Sequence, residues 1–187
     1  MYLDGTQNYA VKKNSNIKLS DLKWPSVGEN LGYKFEAWDK EKTLEIKDQD
    51  IVVKASSKAI DDVIPNDGNH EKPKDYVKVD FKTDGNGSLS GQLSYFVNPT
   101  KEVTLDIPKA SPNTGFEFEA WDHDASMPSV YRVDTTITAY FNELNDVSTE
   151  PVEGYVEVSF VTQGEGGSIM DGQITKFYVN PEKEVIL

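Results

Sequence analysis

The sequence predicts a mainly β protein built from tandem copies of a small module. Three observations support this prediction. Short segments alternate apolar and polar residues with the two-residue period of a half-buried strand. Blocks of sequence recur about 80 residues apart. No segment keeps a 3.6-residue apolar period over three turns, so we expect little helix.

Three pairs of segments define the repeat. GYKFEAWD at 32–39 returns as GFEFEAWD at 115–122, which is 83 residues later. YVKVDF at 76–81 returns as YVEVSF at 155–160, and NPTKEVTL at 98–105 returns as NPEKEVIL at 180–187. Because a missed repeat misassigns a whole fold, this periodicity takes precedence over single-strand predictions.

The repeat divides the chain into three units and two acidic linkers. Pro, Gly and like charges leave the linkers little apolar surface to bury, which favours extended connections. The predicted boundaries are unit 1 at 1–58 without its first strand, a linker at 59–75, a complete unit 2 at 76–143, a linker at 144–154, and a truncated unit 3 at 155–187.

The sequence pattern of the complete unit predicts the positions of its strands. Val77, Val79 and Phe81 alternate onto one face of a first strand, and DGNG at 84–87 is typical of a hairpin turn. Further segments with strand character predict strands at 91–97, 101–107, 116–121 and 135–141. Residues 108–115 are rich in turn-forming residues and predict an irregular connection.

The two terminal units are incomplete in complementary ways. Unit 1 lacks the strand that opens unit 2, and unit 3 lacks the Trp-containing strand. We expect a segment of a longer array, with unpaired strand edges at both ends. Two arrangements remain open: each terminal piece packs on its neighbour within the chain, which we favour, or the C-terminal half-unit of one molecule completes the N-terminal half-unit of the next.

The order of these segments resembles the repeats of Gram-positive bacterial surface proteins called internalin B-repeats, or Listeria–Bacteroides repeats. The similarity spans nearly all of 76–143, most of 1–57, and the chain from 155 onward. Ala37 and Ala120 stand where the family tends to have Gly. The resemblance implies small modules between a functional head and a cell-wall anchor. It also makes a β-grasp-like α+β module the alternative to a mainly β one.

The resemblance implies a non-enzymatic stalk or spacer of an exported protein, extracellular and at the cell surface or secreted, with a further adhesive role. Signal and anchor are expected outside this segment. The alternatives are an adhesin module that binds carbohydrate or a host protein, and accessory repeats of a larger secreted enzyme. The expected partners are therefore a host glycan, a host surface protein and neighbouring repeats.

The composition disfavours several functional classes. A formal net charge of −13 disfavours nucleic acid as a partner. The chain has no cysteine, which removes disulfides, thiol catalysis and cysteine-ligated metals. No apolar run approaches the about 20 residues of a membrane helix, so no membrane insertion is expected.

Several residues resemble sites but have simpler interpretations. The EAWD motif at 36–39 and 119–122 places two carboxylates beside a Trp, as in glycosidases and sugar sites. Alternation instead places Tyr33, Phe35 and Ala37 on one face of a core strand whose Trp covers an edge. Because the pattern is repeated, we predict that Trp38 and Trp121 are buried at equivalent positions. Because the same motif occurs in two small units, a shared role in core packing explains it better than two copies of a catalytic pair.

Other polar and aromatic residues also suggest sites. They are the turn Asp84–Gly87 and the acidic linker residues Asp61, Asp62 and Asp67 as calcium ligands, His70 and His123 as bases, Lys78 with Asn142 as an isopeptide pair, and Trp24 and Tyr131 as exposed ligand-binding aromatics. Solvated turns, linkers and strand faces explain the charged residues more simply. We therefore assign no catalytic, cofactor-binding or metal-binding residue and expect no cofactor.

Overall fold

The computed structural model describes residues 1–164 and 166–186. Its one helical element is a single 3-10 turn, Leu19–Asp21, and the described residues contain no α-helix. The prediction of a mainly β fold is confirmed. The strands are β1 (Tyr2–Asp4), β2 (Ser26–Gly28), β3 (Tyr33–Trp38), β4 (Ala55–Ala59), β5 (Val63–Pro65), β6 (Val77–Thr83), β7 (Gly87–Ser90), β8 (Ser94–Val97), β9 (Lys109–Pro112), β10 (Phe116–Trp121), β11 (Thr135–Glu143), β12 (Val147–Ser148), β13 (Val156–Ser159) and β14 (Lys176–Val179).

These strands form several small sheets. Three are two-stranded antiparallel pairs, β1–β2, β3–β4 and β7–β9. A five-stranded sheet has the order β10-β11-β6-β8-β5, in which β6 and β11 run parallel. A three-stranded sheet has the order β12-β14-β13. The first and last strands of the complete repeat are therefore direct neighbours.

The chain divides into two compact units. Structural unit 1 comprises Met1–Lys78, Tyr95–Val103 and Ser129–Asp134, and structural unit 2 comprises Val79–Ser94, Thr104–Pro128 and Thr135–Leu187. The core of structural unit 1 consists mainly of aromatic and branched residues: Leu19, Tyr76, Tyr95, Phe96, Val97, Val103 and Tyr131. The core of structural unit 2 consists of Val79, Phe81, Leu105, Ala125, Ile137, Ala139 and Phe141.

The repeat in the sequence corresponds to a repeat in structure. Tyr33 pairs with Ala59 and Trp38 with Ala55, while Phe116 pairs with Glu143 and Trp121 with Ala139. The β1–β2 and β7–β9 pairs match in the same way. Each copy also carries a glycine with positive φ, Gly5 at 105° and Gly91 at 113°, close to the proline that precedes its partner strand. The same residues therefore build the same local structure twice.

Some strand predictions are confirmed and others are wrong. The strands predicted at 116–121 and 135–141 are present as β10 and β11. The strand predicted at 101–107 is wrong, because only Val103 forms a bridge there, with Ser129. Val103 and Leu105 are both buried, and this burial accounts for the alternation. The connection predicted at 108–115 contains β9.

The hairpin predicted at 84–87 is also wrong. β6 is hydrogen-bonded to β11 and β8, whereas β7 pairs with β9. Asp84 accepts hydrogen bonds from the backbone N–H of Asn86 and of Phe141, so the turn is tied to β11. The segments predicted as linkers each carry a strand: β5 pairs with β8, and β12 pairs with β14.

No helix within the described part of the chain has the length and apolar character needed to cross a membrane.

Candidate functional site

The EAWD motif adopts the same bulged strand in both copies. The register of β3 on β4 shifts between Phe35 and Ala37, and that of β10 on β11 shifts between Phe118 and Ala120. A bulge inserts one extra residue and so changes which side chains share a face. The shift places Phe118 beside Trp121, with ring centroids 6.2 Å apart.

The prediction of buried tryptophans is therefore only partly right. Trp38 and Trp121 occupy equivalent positions, but both are half-buried. Strict alternation along the motif fails because the extra residue of the bulge interrupts it. Trp121 contacts Phe81 edge-on at 5.4 Å, and Trp38 contacts Trp24 edge-on at 5.1 Å. The first copy thus uses Trp24 where the second uses Phe81.

The aspartates of the motif serve the backbone. Asp39 accepts from the N–H of Lys54 at 2.6 Å, and Asp122 accepts from that of Thr138 at 2.9 Å. The hydrogen bond from Lys54 is the largest cause of the lowered pKa of Asp39. The glutamates of the motif lie at the bulges and are exposed. The two acids thus close a strand pair and do not converge on a substrate position.

Asp67, one of the acidic residues considered as calcium ligands, is also engaged within the chain. Asp67 accepts from the N–H of Asn69 at 2.9 Å and contacts the His70 ring at 3.0 Å. Those two contacts lower the pKa of Asp67 to about 2. Across residues 1–164 and 166–186, no group of three or more His, Asp or Glu is arranged to hold a metal ion.

The remaining candidates are dispersed. His123 is exposed on the loop after Trp121. β6 and β11 run parallel with Val79 opposite Thr135, so Lys78 and Asn142 lie toward opposite strand ends. The prediction that Tyr131 is exposed is wrong, because it is only 5% exposed. Trp24 is half-buried, and its indole N–H donates to the Leu19 carbonyl at 2.7 Å.

The structure instead brings together a polar cluster that occurs twice. The junction cluster of structural unit 1 consists of Gly32, Asp61, Asp62, Tyr76 and Asn98. The junction cluster of structural unit 2 consists of Gly115, Asn145, Asp146, Tyr155 and Asn180. Each cluster joins the end of one repeat to the opening strands of the next, inside a single compact unit.

A buried asparagine is the centre of each junction cluster. Asn98 and Asn180 are both 2% exposed, and no other polar residue in the described part of the chain is as deeply buried. The side-chain amide of Asn98 donates to Asp62 at 2.7 Å, and its backbone N–H donates to the Asp62 carbonyl at 2.8 Å. Asn180 makes the same pair of bonds to Asp146, at 3.1 Å and 2.8 Å.

The other cluster members also match. The Tyr76 hydroxyl donates to the Asp61 carbonyl, and the Tyr155 hydroxyl donates to the Asn145 carbonyl, both at 2.9 Å. Burial, together with the negative charge of the neighbouring aspartate, raises the pKa of both tyrosines. A buried polar group costs free energy unless its hydrogen bonds are satisfied, so these bonds fix the geometry of the junction.

A glycine closes each cluster from the side of the preceding repeat. Gly32 has φ of 78° and Gly115 has φ of 84°. A Cβ at Gly115 would lie 2.7 Å from the Asn180 amide nitrogen, and one at Gly32 would lie 3.2 Å from that of Asn98. Only glycine combines this backbone conformation with so close an approach.

The sequence contains a signal for this cluster that strand patterns do not reveal. Asn-Pro recurs at 98–99 and 180–181, and each pair follows a strand. By itself Asn-Pro indicates a break between strands, but an asparagine that recurs with the same neighbours also suggests a shared structural role. Asp62 and Asp146 recur in the predicted linkers, where composition alone favours solvated charge.

Comparison with known proteins gives a match to a family model. No curated protein and no solved structure matched the chain. Divergent InlB B-repeat domains are non-catalytic modules typical of bacterial surface proteins. Residues 77–145, in the central part of this chain, match the family model of the divergent InlB B-repeat domain.

Proposed function

We propose that the chain is a non-enzymatic tandem-repeat spacer in an exported bacterial surface protein, where it separates a functional region from the cell surface. The observation that carries this proposal is the duplicated junction cluster. It ties each repeat to the opening strands of the next by the same buried hydrogen bonds. A spacer needs a fixed junction between its modules. The same junction cluster occurs around Asn98 and around Asn180.

The acidic surface is consistent with this role. A net charge of −13 keeps the region soluble and disfavours adsorption to anionic polymers. The polar clusters that suggested chemistry are engaged in turns and strand pairs, as described above. The family of residues 77–145 is non-catalytic, which supports a structural role for the repeats.

The spacer role can be tested by distance measurement. The chain has no native cysteine, so spin labels can be attached at two introduced cysteines without background. Labels at the exposed residues Thr43 and Glu102 lie in structural unit 1, before and after its junction asparagine in the chain. A spacer predicts a single narrow distance distribution in the wild type that broadens in Asn98→Ala. A broad distribution in the wild type would contradict the proposal.

The adhesin alternative has its own test. Glycan binding through Trp24 or Tyr131 requires an exposed aromatic ring. Tyr131 is buried, and Trp24 is half-buried with its indole N–H bonded to the Leu19 carbonyl. A glycan array and a panel of host surface proteins are expected to show no saturable binding. Saturable binding that survives Trp24→Ala would contradict the spacer proposal. It would indicate an adhesive module that binds through a surface other than Trp24.

A further inference from the structure

The turn between β6 and β7 contains the chain's single Asn-Gly pair, Asn86 and Gly87. β6 ends at Thr83 and β7 begins at Gly87, so the pair lies where the turn enters the strand. In an Asn-Gly pair, the glycine nitrogen attacks the side-chain carbonyl carbon of asparagine and forms a succinimide ring. Glycine favours this reaction because it has no side chain to hinder the approach and restricts the backbone least. The turn therefore contains the residue pair most prone to this reaction.

The backbone N–H of Gly87 is not part of the hydrogen-bond ladder between β7 and β9. Gly87 lies opposite Pro112, and the Asn113 N–H donates to the Asn86 carbonyl at 3.0 Å. In an antiparallel pair this arrangement marks a non-hydrogen-bonded position, so Gly87 directs its N–H away from β9. Among the described strands, none pairs with β7 on that side. The attacking nitrogen is therefore not held by a strand partner.

Water reaches this turn from outside. Gly85 and Ser88, on either side of the pair, are exposed, and Asn86 and Gly87 are half-buried. A succinimide opens by reaction with water. A ring formed here would therefore be hydrolysed and would not remain as a stable product.

Asp84 and Asp67 also precede glycines, but they are protected from the same reaction. An aspartate closes the ring only when its carboxyl is protonated, because an ionised carboxylate is a poor electrophile. A hydrogen bond from the backbone N–H of Asn86 lowers the pKa of Asp84, and one from Phe141 adds to this effect. The pKa of Asp67 is lowered to about 2. Both aspartates are therefore ionised at neutral pH, whereas the Asn86 amide is uncharged.

Packing requires a glycine at position 87. A Cβ at Gly87 would overlap the ring of Phe141, which is buried in the core of structural unit 2. Gly87 is not among the residues with positive φ, so its backbone conformation alone would allow other residues. The core of structural unit 2 therefore fixes the second member of the labile pair.

We propose that Asn86 deamidates spontaneously in the folded chain, and that isoaspartate at this position loosens β7. The Gly87 nitrogen forms a bond to Cγ of Asn86, the C–N bond of the side-chain amide breaks, and ammonia leaves with the proton of the Gly87 N–H. Water then adds to one of the two ring carbonyl groups, which gives aspartate or isoaspartate. This modification goes beyond the spacer role, which does not require it.

Isoaspartate changes the backbone itself. It adds one methylene group to the chain between residues 86 and 87 and converts the former backbone carbonyl of Asn86 into a side-group carboxylate. That carbonyl accepts the hydrogen bond from Asn113 beside the first β7–β9 pair, so this bond would be lost. The added length also moves Gly87 relative to the Phe141 ring. We therefore expect β7 to loosen both from β9 and from the core.

The third repeat supplies an internal comparison. At an offset of 79 residues, Gln163 and Glu165 correspond to Asp84 and Asn86. Each turn sequence thus has one carboxylate and one side-chain amide, with their positions exchanged. Glu165 has no side-chain amide to lose, and the longer side chain of Gln163 closes a ring far more slowly. Residues 163–166 should therefore stay unmodified under conditions that convert Asn86.

Mass spectrometry of the full chain tests the reaction. The purified protein is incubated under mildly alkaline conditions, which favour attack by the glycine nitrogen, and is digested at intervals. The peptide that contains Asn86 should gain the mass difference between an amide and an acid, in aspartate and isoaspartate forms, and Asn86→Gln should remove this gain. A synthetic peptide of residues 80–92 is the positive control. An Asn86 side chain that stays an amide in the folded chain overturns the inference.

Hydrogen exchange tests the structural consequence. The isoaspartate form is separated by chromatography, and exchange at the Asn113 amide is compared with that of the unmodified chain. Isoaspartate should abolish the protection of this amide. Asn86→Asp, which adds the charge without lengthening the backbone, should retain most of it. Equal protection of Asn113 in the isoaspartate form and in the unmodified chain would contradict the loosening of β7.

Discussion

The side-chain amide of Asn98 donates to the carboxylate of Asp62 at 2.7 Å, although the two residues are 36 positions apart in the chain. Asp62 follows the last strand of one repeat, and Asn98 follows the third strand of the next. The same relationship recurs between Asn180 and Asp146. A connection predicted from composition to be a solvated linker is thus held by buried hydrogen bonds in both copies.

Removing the Asn98 side chain is expected to destabilise structural unit 1. The half-buried Asp62 carboxylate and the exposed Thr100 N–H would each lose this partner. A hydrogen bond to a charged group contributes about 1.5–3 kcal/mol, so Asn98→Ala should lower the free energy of unfolding by about that amount. Urea denaturation measures it, and Asn180→Ala should behave similarly.

Asn98→Asp separates charge from packing. It keeps the shape of the side chain but places a second carboxylate against Asp62, so it should destabilise at neutral pH and recover at acid pH as a proton is shared. Asn142→Asp, on the exposed face of β11, is the matched control and should change little. Equal effects of the two aspartates would show that Asn98 is not in the predicted environment.

Gly115→Ala should destabilise more than Gly85→Ala. Both glycines have positive φ, 84° and 109°, so both substitutions incur the same kind of backbone strain, about 1–2 kcal/mol. A Cβ at Gly85 meets nothing within 4 Å, whereas one at Gly115 lies 2.7 Å from the Asn180 amide. Thermal melting of the two variants gives the difference. If the Gly115→Ala variant were as stable as Gly85→Ala, Gly115 would not lie close to the Asn180 amide.

Trp121→Ala should destabilise structural unit 2 by about 2–3 kcal/mol, below the 3–5 kcal/mol typical of a fully buried aromatic. Trp121 is half-buried, and the substitution removes its edge-on packing on Phe81 and its tilted packing on Phe118. Denaturant unfolding followed by circular dichroism measures the change. Stability indistinguishable from the wild type would show that this ring packing contributes nothing.

The turn around Asp67 should lose stability only in strong acid. The pKa of Asp67 falls from 3.8 to about 2 through hydrogen bonds from Asn69 and His70. A carboxyl with a lowered pKa in the folded state stabilises it above pH 3.8, and this contribution disappears as the pH falls toward 2. Carboxyl NMR titration should give a midpoint near 2, and a midpoint at or above 3.8 would contradict the predicted contacts.

Much of the strand content is predictable because it depends on local patterns. The alternation of Val77, Val79 and Phe81 predicts β6, and the structure buries Val79 and Phe81 as expected. The repeat predicts equivalent strands in two copies. Alternation misleads at Val103 and Leu105, where buried alternating residues lie outside any strand. Local alternation reports burial and does not show whether a strand partner is present.

The bulge and the junction clusters are not predictable in this way. Glu119 has the character of an ordinary exposed strand position, and only the register of β10 on β11 shows that the strand shifts there. Asn98 and Asp62 are polar residues in predicted turns, where solvent exposure is the usual outcome. Their hydrogen bonding depends on contacts between distant parts of the chain, which no local pattern encodes.

Hydrogen exchange at the backbone amides of Asn98 and Asn180 tests the central claim most directly. Both amides donate to an aspartate carbonyl at 2.8 Å, and both residues are buried. If the same junction holds successive repeats in both structural units, both amides should be protected as strongly as those of the strands beside them. Exchange at the rate of an unstructured peptide at either asparagine would contradict a fixed, duplicated junction.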